Sequence, residues 1–285
     1  MAMNQPQNPD YKFTSNEYNN KINTPAASPV YFEHFIQPLV EDALAKAGSE
    51  GKIDILDMAC GHATAMEFMA KLPESKRLKI TGLDLSADAL NEARAGFAEK
   101  HPELDIAFIE TDAEKELPIP AGSIDMATAI NAMAYKQGHM LKSLFNALKP
   151  GGKCVVNFFR PSENNPYIEF YREKGCRIYD RKMEVSAGGR TAVLNLLVTD
   201  FSGMPDEKLS KLGAQSFLKG KEDIETLASL VGFKIDGQKG FSFYSEPIRA
   251  IVHNDVYTFR KPEAPTDLDM GRLQVKEKIT DLLEQ

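Results

Sequence analysis

Two carboxylates set 27 positions apart, Asp57 and Asp84, are the residues of this chain best placed to do chemistry. Asp57 stands in an apolar run, Ile53 to Met58, that leads into the small-residue turn Ala59-Cys60-Gly61-His62-Ala63. An acid at the end of a strand, followed by a turn whose small side chains let the backbone approach a ligand, makes a pocket for a nucleotide-like cofactor. The helix that follows adds free N–H groups at its N-terminus. Asp84 ends the next apolar run, Lys79 to Leu83, where a carboxylate can accept hydrogen bonds from both hydroxyls of a ribose. Ser86 is at hand to cap the following helix, so Asp84 is not needed for that task.

The elements that must position these residues alternate along the chain. Strand-like runs at Ile53 to Met58, Lys79 to Leu83, Asp105 to Ile109, Ile124 to Ile130 and Lys153 to Phe159 are separated by helical patterns, including one from Met140 to Leu148. This predicts an α/β fold, a doubly wound, mostly parallel seven-stranded sheet with helices on both faces. An amphipathic helix is predicted from Tyr31 to Ala47, a further helix from Glu222 to Val231 ending at Gly232, and last strands starting at Phe233 and running from Ala250 to Phe259. The periodicity breaks between 160 and 213, where Met183 to Phe201 reads as a hairpin turning at Gly188-Gly189. That stretch is expected as a cap-like insertion over the sheet edge. The organisation expected is one domain, 1–262, with an arm or lid (1–48), a cofactor-binding core (49–159), the cap (160–213) and a C-terminal helix and strands (214–262). A tail, 263–285, follows as one terminal helix.

Four blocks carry a resemblance. They are Ile55 to Ala63; Gly82-Leu83-Asp84-Leu85-Ser86; Asp112-Ala113-Glu114 with Leu117-Pro118-Ile119-Pro120 and Ser123-Ile124-Asp125; and Leu148-Lys149-Pro150-Gly151-Gly152. In this order and spacing the chain resembles the class I, seven-stranded Rossmann-like, S-adenosylmethionine-dependent methyltransferases, in the small-molecule branch with the UbiE-type motif set. The resemblance implies that Asp57 and the Ala59, Cys60 and Gly61 backbone face the methionine part of the cofactor, that Asp84 holds the ribose, and that Leu85 packs on the adenine. It further implies that Asp112 and the Ala113 N–H read the adenine edge and that the Asn131 carbonyl meets the methionine ammonium. S-adenosylhomocysteine is then the product. Pro150-Gly151-Gly152 is expected to turn into the fifth strand rather than touch ligand. Ala59 replaces the first glycine of the family turn, a common substitution, whereas Ala63 in place of the third, preceded by His62, is less usual and narrows the pocket.

A sulfonium carries its own activation, so the protein needs only to align an acceptor and, for weak acids, remove a proton. His139 and Tyr135 are the candidates for that proton, with His62 and His34 behind them. Tyr11 and Tyr18 are placed as a lid on the arm. Arg160, Arg172 and Arg181, among the aromatic residues of the insertion, are candidates to meet an anionic or aromatic substrate.

Composition narrows the alternatives. With 41 acidic against 34 basic residues, a net charge of −7, the chain does not offer a nucleic-acid partner an obvious surface. An RNA or protein methyltransferase would need a basic stripe or an added domain. No stretch reads as a leader or a membrane span, and three widely spaced cysteines suggest neither a disulfide framework nor a metal site, so a cytoplasmic location is expected. A nicotinamide-dependent dehydrogenase would carry G-x-G-x-x-G, which the turn lacks. A cofactor-binding module without catalysis, and a homo-oligomer, remain open at this stage.

Overall fold

The computed structural model describes residues 29–134, 136–160, 166–205, 210, 213–245, 250–263 and 276–280. Tyr11, Tyr18 and Tyr135, three of the expected site residues, lie outside them.

A helical turn at Pro29–Tyr31 and a π-helical turn at Phe32–Ile36 lead into α1, Gln37–Lys46. The predicted amphipathic helix is present, with Tyr31, Phe32, Ile36, Val40 and Leu44 buried, but its first half is wound wider than an α-helix. Pro38 explains this: it has no N–H for the carbonyl of residue 34, and the Gln37 N–H reaches back to Phe32 O instead.

The core then alternates as predicted: β1 (Ile53–Met58), α2 (Thr64–Met69), β2 (Leu78–Asp84), α3 (Ala87–Lys100), β3 (Asp105–Glu110), β4 (Ile124–Ala129), α4 (Gln137–Ala147) and β5 (Leu148–Phe159). Ser86 caps α3, its Oγ accepting from the Ala89 N–H at 3.2 Å. Next come α5 (Pro166–Glu173), β6 (Arg177–Ala187), β7 (Arg190–Asp200), β8 (Ala214–Leu218), α6 (Lys221–Val231), β9 (Lys234–Ser245), β10 (Ala250–Arg260) and β11 (Lys276–Thr280).

Seven strands form the large sheet in the order β3-β2-β1-β4-β5-β10-β9. β1 to β5 run parallel, and β10 runs antiparallel to both β5 and β9. Strand order reverses between β1 and β4, which opens a crevice beyond their carboxyl ends.

Apolar residues cover both faces of the sheet. On one, Ile53, Ile55, Met126, Val155 and Val256 pack with Val40, Met66, Leu90 and Phe97 of α1, α2 and α3. On the other, Leu56, Met58, Ala127, Val156 and Phe158 pack with Leu141 and Leu144 of α4 and with Leu227 and Val231 of α6. Pro150-Gly151-Gly152 falls where the chain enters β5. There the Gly151 N–H donates to Lys261 O and the Lys261 N–H to Gly152 O, each at 2.9 Å.

The hairpin turns at Gly188-Gly189 as expected, and its strands β6 and β7 belong to a second, four-stranded sheet in the order β11-β6-β7-β8. This sheet reaches the large one through β8, where the Phe217 ring meets that of Phe159 on β5 with centroids 5.1 Å apart. Its apolar residues Met183, Val185, Leu194 and Leu196 join the cluster that contains α6, and β6 and β7 contact that helix directly, so it forms an outer layer on a helix. Arg190 donates to the carbonyls of Ser229 and Leu230 at the end of α6, and Asp223 near its start accepts from the Asn195 N–H of β7 at 2.9 Å. The tail is also corrected: within 263–285, residues Lys276–Thr280 form a strand paired antiparallel with β6, not a terminal helix. β6 would otherwise present an open row of backbone N–H and C=O groups, and a strand satisfies them where a helix cannot.

Candidate active site

The register of the central strands assembles the site. Asp57, in β1, pairs with Gly82 of β2 on one side and Thr128 of β4 on the other. Thr128 Oγ1 therefore meets Asp57 Oδ1 at 2.5 Å and donates to it, with both side chains buried. Burial pushes the Asp57 carboxyl up to about 7, the nearby Asp84 charge pushes the same way, and the Thr128 hydrogen bond opposes them.

After β1 the chain passes through a run of left-handed residues. Ala59, Gly61 and Ala63 have φ of 55°, 52° and 59°. Only Gly61 takes this conformation without cost. An alanine held there costs on the order of 1 kcal/mol, so two of the three positions are strained. The turn is tied to β2 in return: the Cys60 N–H donates to Leu83 O at 2.9 Å, and the Gly61 N–H donates to Asp84 Oδ2 at 2.8 Å. Asp84 Oδ1 accepts from the Ser86 N–H at 2.8 Å. The Leu85 N–H donates to the same carboxylate, which leaves part of its accepting capacity for a ligand. Burial raises the Asp84 carboxyl above its usual range, against these backbone donors.

Cys60 contributes packing rather than chemistry. Its thiol is buried, pushed well above its ordinary pKa by that burial, and a Cβ on Gly82 would stand 2.9 Å from its Sγ. Gly82 is glycine because Cys60 and Met66 occupy the space beside it. His62 is buried with Nδ1 3.3 Å from Glu92 Oε2 of α3; burial pulls the imidazole below its usual pKa. It places the turn against α3.

Leu85 directly follows Asp84 and is 67% exposed, an uncovered apolar side chain at the carboxyl end of β2. Asp112 lies in the loop after β3, which is joined to β2 where the Thr111 N–H donates to Asp84 O at 2.8 Å. The Asp112 carboxylate accepts from the Glu114 N–H and pairs with Lys115 at 3.3 Å, while Ala113 is packed against the core. Asn131, just past β4, is left-handed at φ 58°. Asp57, the turn, Asp84, Leu85 and Asn131 are thus brought to the carboxyl ends of adjacent strands.

The acid–base and substrate candidates are placed differently. His139 is half-buried in the first turn of α4, and His34 is exposed in the π-helical turn. Arg160 follows β5 at the carboxyl end of the sheet, where its Nε donates to Asp255 Oδ2 at 2.9 Å and its second nitrogen bonds the other oxygen. Arg172 pairs with Glu169 one turn back along α5, and Arg181 stacks over Tyr179 at 4.1 Å. Each guanidinium has a partner within its own fold element or a neighbouring strand.

Three polar residues escaped the sequence reading. Thr128 and Asn157 are each a buried polar residue among apolar neighbours in a central strand, and their importance comes from register alone. Gln137 is a third. Fully buried at the start of α4, it donates to Ser216 O of β8, while the Ser216 N–H donates to Ala134 O at 2.9 Å. The second sheet is thereby hydrogen-bonded to the loop after β4.

Residues 55–152 match a family described as a methyltransferase domain. The stretch from β1 to the start of β5 thus resembles a methyltransferase domain. The chain is similar to the ubiquinone/menaquinone biosynthesis C-methyltransferase of Desulfotalea psychrophila, 29% identical over 143 residues, covering 48% of this chain and 55% of that protein. The chain thus spans about half the length of that curated relative. It is also similar to the carboxy-S-adenosyl-L-methionine synthase of Chromohalobacter salexigens, 28% identical over 192 residues, covering 63% of this chain and 68% of that one. The fold of the methyltransferase domain is shared with a methyltransferase structure from Methanosarcina mazei at a TM-score of 0.55 and 16% identity, over 80% of this chain and 98% of that one. Among the described residues, no helix is long and apolar enough to cross a membrane.

Proposed function

We propose that the protein moves the methyl group of S-adenosylmethionine to an O, N or C atom of a small molecule, in the cytoplasm. The observation that carries this is the pair of buried carboxylates, Asp57 and Asp84, at the crevice between β1 and β4. Both are raised in pKa by burial, so both favour a ligand that brings positive charge and hydroxyl donors. S-adenosylmethionine has both, and its sulfonium supplies the activated methyl group when bound.

This chain's residues hold and orient. The left-handed turn lets the backbone approach the methionine part, Asp84 takes the ribose hydroxyls with its remaining lone pairs, and Leu85 covers one face of the adenine. Asp112 and the Ala113 N–H meet the adenine edge, and the Asn131 carbonyl receives the ammonium. His139 and Tyr135 are the groups to take a proton from the acceptor, and the second sheet with α5 is the substrate cap. Arg160, fixed by Asp255 at the carboxyl end of β5, is the arginine best placed to meet the acceptor; Tyr11 and Tyr18 complete the cover.

The test is incubation with isotopically labelled methyl donor and host metabolite extract, followed by mass spectrometry. Label on a small molecule is expected. Label on RNA or protein instead, or no transfer despite tight binding of S-adenosylhomocysteine, overturns the reading.

A further inference from the structure

Asp57 and Thr128 belong to a longer polar row. Side chains alternate across a strand, so Asp57 shares a face with Ile55, Thr128 with Met126, Asn157 with Val155, and Asn254 with Val256. All four polar residues are buried, at 3%, 0%, 2% and 4% exposure, on a face otherwise filled by apolar side chains. Asp57 and Thr128 satisfy each other. Asn157 and Asn254 need another reason, because burying two amides costs free energy that a valine at either place would avoid.

Their hydrogen bonds supply it. Asn157 Oδ1 accepts from the Asn131 N–H at 2.6 Å, and Asn157 Nδ2 donates to Asn131 Oδ1 at 2.9 Å. The same Nδ2 donates to Asn254 Oδ1 at 3.1 Å. Three bonds fix the plane of the Asn157 amide, and two of them close a ring with Asn131, which is held left-handed at φ 58°. The chain of bonds begins on buried β10 and ends on an exposed residue at the carboxyl end of β4, at the rim of the site.

We propose that Asn157 is a positioning residue for the cofactor. It locks the Asn131 backbone in its left-handed conformation and thereby fixes the carbonyl that receives the methionine ammonium, with Asn254 holding Asn157 in turn. This rests on the reading of Asn131 given under Proposed function. Its signature is selectivity: loss of the lock weakens ligands that carry the amino acid part and spares those that lack it.

The experiment is calorimetric titration of the full chain and its Asn157→Ala and Asn254→Ala variants with S-adenosylhomocysteine and with 5′-methylthioadenosine, which has the nucleoside and thioether but no ammonium. Asn157→Ala is expected to lose about tenfold or more in affinity for S-adenosylhomocysteine, the scale of one charge-assisted hydrogen bond, with 5′-methylthioadenosine unchanged. Asn254→Ala is expected to show the same selectivity at smaller size, and it decides the matter if Asn157→Ala does not fold. Equal losses for both ligands, or no loss for either, overturn the positioning role. A wild-type chain that binds neither ligand overturns the cofactor reading beneath it.

Discussion

Thr128 and Asp57 stand directly opposite each other across β4 and β1, and the threonine hydroxyl donates to the buried carboxylate at 2.5 Å. The site therefore holds an acid whose folded-state pKa of about 7 lies well above the ordinary value of 3.8. Between those two values the folded chain binds more protons than the unfolded chain, so stability falls as pH rises through this window and levels off above it. Asp57→Asn removes that slope. At pH 8 without cofactor the variant is expected to be more stable than wild type by about 2–4 kcal/mol, and at pH 4 to be nearly equal to it. Its affinity for S-adenosylmethionine should collapse. Denaturant melts at the two pH values check this; equal stability at pH 8 would refute the assignment.

Removing the donor tests the same pair from the other side. Thr128→Val keeps the shape but leaves Asp57 without its hydroxyl, so the carboxyl should titrate higher still. Affinity for S-adenosylmethionine at pH 7 is expected to drop about tenfold, the scale of one hydrogen bond to a charged group, and to recover partly at pH 9. A loss that is independent of pH would point to packing alone.

Gly82→Ala places a methyl against Cys60 Sγ, Met66 Sδ and the Phe108 ring, at 2.9, 3.0 and 3.1 Å. Overpacking of this kind costs about 1–3 kcal/mol. Combining it with Cys60→Ala should return part of the loss, which a double-mutant cycle in urea would reveal as a coupling of at least ~0.5 kcal/mol.

At Ala63 two effects oppose. Glycine relieves the left-handed strain, on the order of 1 kcal/mol, but enlarges the unfolded ensemble by about 0.4–1 kcal/mol. Ala63→Gly should change stability by less than ~1 kcal/mol, whereas Ala63→Val, branched at Cβ, should cost more than ~2 kcal/mol. Matching losses for the two variants, read from urea midpoints, would mean the conformation at 63 is not the constraint.

Gln137→Ala cuts the side-chain bond between α4 and β8. KM for the methyl acceptor is expected to rise while the dissociation constant for S-adenosylhomocysteine stays within about twofold, because the bond serves the cap rather than the cofactor turn. A parallel loss of cofactor binding would detach Gln137 from that role.

The large sheet was readable because its central parallel strands are buried on both faces and so appear as largely apolar runs; β1 starts at Ile53 and ends at Met58 as expected. Asp57, Gly61 and Asp84 were readable because an acid or a glycine at a strand end has few other uses. β8 and the strand at Lys276–Thr280 were not, since short strands of a small outer sheet carry weak patterns and are selected by the neighbour they pair with. The arginines of the insertion suggested a substrate pocket by type, yet Arg172 and Arg181 are engaged within their own elements. Asn157 was invisible for the opposite reason: one amide in an apolar strand has meaning only when β4, β5 and β10 are set side by side.

The raised carboxyl at Asp57 also alters what a calorimeter records. Near neutral pH the ligand-free site retains bound hydrogen ions, and an arriving sulfonium with its ammonium displaces some of them into the medium. The measured heat of association should therefore vary with the ionisation enthalpy of the buffer, and its slope counts the hydrogen ions released per molecule bound.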